Sequence, residues 1–156
     1  MSARKLTVIA ALFAALLAAP GTATAAARHS LRLVAHHQVP GTTDVDIDNG
    51  TSGALDVGDG WAETDLLTRA RDGRQVGRAA LSCTILVVDQ GEPALEQCVG
   101  TAEVQGGSLM FYGLLHGPHS TLAVIGGTGR YRHARGTLTL RTLDEHRTRW
   151  TFALAR

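Results

Sequence analysis

The chain has 156 residues, of which 15 are basic, 14 acidic, 44% hydrophobic and two cysteine. That length suits one domain with one core. A charge so near balance gives no electrostatic reason to expect nucleic acid or an anionic membrane as partner.

The N-terminus reads as a leader. Arg4 and Lys5 precede an uncharged apolar run, Leu6 to Ala19, which Pro20-Gly21 breaks. Ala23-Thr24-Ala25 then supplies the small residues a signal peptidase accepts. The run is short of the roughly 20 apolar residues that span a bilayer. The expectation is a signal peptide over residues 1–25, cleavage after Ala25, and a single secreted domain over 26–156 with no membrane attachment. Loss of Arg4 and Lys5 leaves 13 basic residues against 14 acidic ones.

From there the pattern is that of strands. Ser30 to His37 alternates, with Leu31, Leu33, Ala35 and His37 on one face and Arg32, Val34 and His36 on the other. Pro40-Gly41 ends it. Thr42 to Asp48 alternates again, placing Asp44, Asp46 and Asp48 together on a solvated face. These acids do not make a calcium loop: Asn49 stands where the sharp-turn glycine belongs, and Leu55 where the bidentate acid belongs. Trp61 to Arg69 alternates loosely, and Asp72-Gly73 is a hairpin signal before a long strand, Gln75 to Val88.

Cys83 lies in that strand and Cys98 in the next, with Asp89-Gln90-Gly91-Glu92-Pro93 between as the turn. A hairpin centred between Gln90 and Gly91 sets Cys83 opposite Cys98. The pair is then close enough for a cross-strand disulfide, as an oxidising compartment favours. Gly106-Gly107 and the turn His116-Gly117-Pro118-His119 separate the next strands, and Asp144-Glu145-His146 joins the last two, Gly136–Thr142 and Thr148–Leu154. Eight or nine short strands and no helical period predict an all-β sandwich or closed barrel, and periodicity does not choose between them.

Between the strands Thr121–Ile125 and Gly136–Leu140 sits Gly126-Gly127-Thr128-Gly129, a cluster that marks a tight turn. It is no dinucleotide fingerprint, because Arg132 replaces the third glycine and a strand follows, not a helix. Nor is it a P-loop, since the only lysine is Lys5. The run Val124-Ile125-Gly126-Gly127-Thr128-Gly129-Arg130-Tyr131-Arg132-His133-Ala134-Arg135-Gly136 resembles the segment shared by plant dirigent proteins and the allene oxide cyclase barrel family. Gly58-Asp59, Asp72-Gly73 and Val76-Gly77-Arg78-Ala79 are similar to that family too, so the resemblance spans about Gly58 to Leu143.

The resemblance implies an eight-stranded antiparallel β-barrel around a ligand cavity, often assembled as dimers or trimers. It implies a small hydrophobic or phenolic ligand whose cyclisation or stereoselective coupling is guided by confinement, with no cofactor. A non-catalytic barrel that binds such a molecule, or serves as an exported scaffold, is the other reading. The cyclases carry a glutamate and an asparagine on the first strand; the matching positions here are Ala35 and His37, so that strand has no acid. The candidate binding residues are His37, Arg135 of the Ala-Arg-Gly run, and Trp61, Tyr112 and Trp150 as cavity wall. The resemblance also makes Cys83 a cavity cysteine, in competition with the disulfide. No metal spacing stands out; His36, His37, His116 and His119 form the one histidine set worth weighing.

Overall fold

The computed structural model describes residues 29–38, 43–45, 55–88 and 92–155. The leader and the acids Asp46 and Asp48 lie outside the described residues. The strands are β1 (His29–His37), β2 (Thr43–Val45), β3 (Gly60–Arg69), β4 (Gln75–Val87), β5 (Leu95–Val104), β6 (Gly107–His116), β7 (His119–Gly127), β8 (Arg135–Asp144) and β9 (Arg147–Ala155). From β3 to β9 each strand pairs antiparallel with the next, as hairpin-length connections dictate. β1 then pairs with both β9 and β3 and closes an eight-stranded barrel. Short β2 continues the edge of β1 along β3, with Thr43 opposite Ala62.

Alternation decides what faces inward. On β1, Leu33 and Ala35 are buried and His37 follows on their side; on β8, Leu138 and Leu140 are buried while Thr137 and Thr139 are exposed. The middle of the barrel is filled. Phe111, Trp150 and Phe152 meet edge-on or tilted, with Phe111 and Trp150 centroids 5.3 Å apart and planes at 87°.

Gly100 of β5 makes room for that cluster. A Cβ there would stand 2.4 Å from the Phe111 ring. We expect Gly100→Ala to cost about 1–3 kcal/mol, because a close-packed core must shift to admit even one methyl. A urea melt of the variant with an unchanged midpoint would contradict this packing.

Cys83 pairs with Cys98 in the β4–β5 ladder, and their sulfurs form a disulfide with Cα atoms 4.1 Å apart. Both cysteines are buried in the barrel interior. The cysteine therefore serves as a cross-link here and is not a free cavity thiol.

The glycine cluster does more than turn the chain. Gly126 and Gly127 end β7, and residues 129–131 form one 3-10 turn that tucks Tyr131 into the core. Ala134 is buried beside it, Thr128 Oγ1 bonds Ser108 Oγ at 2.8 Å, and Arg130 Nη2 donates to the Tyr131 hydroxyl at 2.6 Å. This motif plugs one end of the barrel. Since strands alternate in direction, the β4–β5, β6–β7 and β8–β9 connections all gather at the other end.

Candidate functional site

That other end holds a half-open cavity of about 260 Å³. Its apolar wall is Trp61, Leu81, Leu115, Leu140 and Trp150; its polar wall includes His37, Glu63 and Thr148. The turn residues Gly117, Pro118 and Glu145 form the rim.

The polar side is built by register. β1 pairs with β3 so that His37 lies opposite Asp65, and β3's two-residue period brings Trp61, Glu63, Asp65 and Leu67 to one face. His37 Nδ1 lies 3.1 Å from Asp65 Oδ1 and 3.3 Å from Glu63 Oε2, while Nε2 lies 3.2 Å from Thr148 Oγ1. Asp65 is 1% exposed and its Oδ2 has no hydrogen-bond partner among the described residues. The hydrogen bond to Asp65, then the one to Glu63, push the His37 pKa from 6.5 up to about 10 against the opposing effect of burial. His37 is thus an imidazolium at neutral pH, with both ring nitrogens donating. Thr148 accepts from Nε2, which turns its own hydroxyl hydrogen away from the ring. Glu63 lies on the cavity wall and can accept a hydrogen bond or a proton there.

A second tie sits alongside. Trp61 Nε1 donates to Glu96 Oε2 at 2.9 Å and fixes the indole. Burial pushes the Glu96 carboxyl above its usual range; the Trp61 N–H pulls it down, and the charge on Glu63 pushes it further up. His37 Nδ1 and the Glu63 and Asp65 carboxylates also lie within 4.8 Å of one another, close enough to share a metal ion in place of the proton.

The His37 cluster sets a pH dependence. The folded pKa lies above the unfolded one, so the cluster's stabilisation is complete below pH 6.5 and is lost as pH rises through about 10. In a proton NMR titration, His37 is expected to change shift near pH 10, with Asp65→Asn bringing the midpoint down towards 6.5. A wild-type midpoint near 6.5 would contradict the imidazolium.

Residues 40–154 match the family model described as allene oxide cyclase barrel like domain. The chain belongs to the allene oxide cyclase barrel family. Among solved structures, a pyocyanin demethylase matches this barrel with a TM-score of 0.70 at 25% identity, covering 81% of this chain and 100% of that one. A pterocarpan synthase dirigent protein matches with a TM-score of 0.62 at 24% identity, over 81% of this chain and 82% of its own. A Diels–Alderase from Streptomyces koyangensis shares the fold at 14% identity, with a TM-score of 0.66 over 83% of this chain and 64% of that one. No curated protein sequence matches the chain.

In this allene oxide cyclase barrel the five candidate binding residues separate. His37, Trp61 and Trp150 come together at the cavity. Tyr112 does not: it is 42% exposed on the outer face of β6, where Phe111 takes the inward place. Arg135 is at the plugged end, exposed, and donates from Nη1 to the Ala134 carbonyl at 2.8 Å. The four histidines do not gather among the described residues: His36 Nε2 bonds Thr68 Oγ1 at 3.0 Å, and His116 and His119 are exposed at the β6–β7 turn.

Sequence reasoning missed Glu63, Asp65, Glu96 and Thr148. The signal was present in parity. Glu96 shares its row with Cys98, Gly100 and Ala102, and Thr148 shares one with Trp150, Phe152 and Leu154. A polar residue in an otherwise inward row is a site candidate.

Proposed function

We propose that this protein is an exported barrel that holds a small hydrophobic or phenolic molecule in the cavity and guides its cyclisation or coupling by confinement. One observation carries the reading: a wall of two indoles and three leucines faces the His37–Glu63 ion cluster and the Thr148 hydroxyl across about 260 Å³. The apolar wall selects a ring-sized body. The Thr148 hydroxyl and the Glu63 carboxylate offer one donor and one acceptor to steady charge as it develops, or to take a proton. The ion pairs hold these groups still before the ligand arrives, which is where such a site gains its rate.

Mass spectrometry of small molecules that co-purify with the protein tests this. We expect a bound compound in wild type and its loss in Leu115→Trp, which fills the cavity. The same molecules in both, or none in either, would sink the reading. The filled middle of the barrel supports the plainer alternative, a binding barrel without catalysis. Glu63→Gln separates the two: turnover of the recovered compound falls by about 10²-fold or more if Glu63 moves a proton, and there is no turnover to lose in a binding barrel.

Export belongs to the same proposal. The disulfide suits an oxidising compartment, and among the described residues no helix is long and apolar enough to cross a membrane. N-terminal sequencing of protein from the culture medium is expected to begin at Ala26. Self-association is also part of it. Val99, Met110, Tyr112, Leu114 and Ile125 are exposed together on the outer face of β5, β6 and β7, a contiguous patch of the kind that a second copy covers. Sedimentation should give a dimer or trimer, reduced to monomer by Leu114→Glu.

A further inference from the structure

The cavity is lopsided in charge. Glu63, Asp144 and Glu145 line it, and the Asp65 and Glu96 carboxyls stand just behind, against His37 and Trp61. Among the described residues two cations and the His146 ring, 3.3 Å from Glu145 Oε1, oppose these five acids, and all are already engaged. His37 is held by Glu63 and Asp65, and Arg147 Nη2 lies 2.6 Å from Asp144 Oδ2. Asp65 Oδ2 is buried with no hydrogen-bond partner among the described residues.

The other end of the barrel is the reverse. Arg32, Arg69, Arg71 and Arg130 line its hollows and no acid among the described residues does, although Asp72 pairs with both Arg69 and Arg71 nearby. Acids therefore prevail around the cavity and arginines around the plugged end, where Asp72 and Glu103 are the acids beside them.

An anionic ligand would meet repulsion in the cavity, and a neutral one would do nothing to balance the surplus of acids over cations there. A cation gains from both walls, since indole rings attract positive charge as carboxylates do. Resting on the ligand-binding reading above, we propose that the ligand is a small organic cation or protonated amine on a hydrophobic ring. The ring packs between Trp61, Trp150 and Leu115, and the charged nitrogen takes Glu63.

The test uses three probes with one naphthalene body: 2-naphthylmethylammonium, 2-naphthylmethanol and 2-naphthoate. Each is titrated calorimetrically into the protein as purified. The ammonium should bind about tenfold tighter than the alcohol, from the carboxylates and indole faces together, and the naphthoate should bind weakest. Added salt should narrow the gap between ammonium and alcohol. Glu63→Gln should narrow it most. Glu145→Gln, at an exposed rim position that the fold does not need, should narrow it by a smaller factor. Alcohol or naphthoate binding as tightly as the ammonium would overturn the cation assignment and leave the ligand-binding reading standing. If none of the three binds, both fall.

Discussion

Trp150→Ala is expected to destabilise the protein by about 3–5 kcal/mol, the range for removing a large aromatic from a packed interior. Trp150 is 1% exposed and stacks edge-on against Phe111 with Phe152 beside it, so its removal leaves a void that backbone ladders on both sides prevent from collapsing. The residue also floors the cavity. Stability and ligand binding should therefore fall together, whereas Trp61→Ala, on the half-buried upper wall, should affect binding more than stability. Urea denaturation supplies the check, with Trp150→Phe as the milder variant. A loss under about 1 kcal/mol in Trp150→Ala would mean that the aromatic cluster is not the centre of the core.

Breaking the disulfide is expected to have the next largest effect. Cys83 and Cys98 are 15 positions apart, and closing a loop of that length restricts the unfolded chain by about 3 kcal/mol in the chain-entropy account. Both sulfurs are buried, so reductant should act slowly on the native barrel and quickly once it unfolds. We expect the Cys83→Ala/Cys98→Ala double variant to melt at lower urea than wild type, and wild type to match it once fully reduced. Thiol titration confirms the reduction. Equal midpoints for oxidised and reduced protein would remove the cross-link from the stability argument.

The strands were legible because half of each is buried. β1, β4, β8 and β9 alternate clearly enough to be drawn from sequence within a residue or two. Cys83 opposite Cys98 followed from turn position alone, and the register holds from Gly77–Val104 to Ile85–Glu96 before one irregularity towards the turn. The choice of a closed barrel over a sandwich came only from the family resemblance, since a sheet's inner face looks the same in either.

The site was less legible, and the reasons differ by residue. On β6 both rows are apolar: Leu109, Phe111 and Leu115 point inward while Met110, Tyr112 and Leu114 point out. No alternation could tell Tyr112 from Phe111 there. Arg135 could have been set aside, because it shares parity with Thr137 and Thr139 on the solvent face of β8. On β3 the two acids blurred the pattern that would have revealed them. Glu63 and Asp65 take inward places that hydrophobic residues usually fill, so the strand read as loosely alternating. The strongest family motif pointed the wrong way, since Gly126 to Gly136 builds the plugged end and not the cavity end.

The pairing of β1 with β9 and β3 also fixes how the molecule must assemble in time. The meander from β3 to β9 can grow hairpin by hairpin, but His37 and Thr148 meet across 111 residues of chain. Sealing the cylinder is thus the most entropically demanding step and should come late, with overall folding on the order of milliseconds to seconds. Until then the β3 and β9 edges stand open as templates for a neighbouring chain, so refolding yield should drop steeply as protein concentration rises.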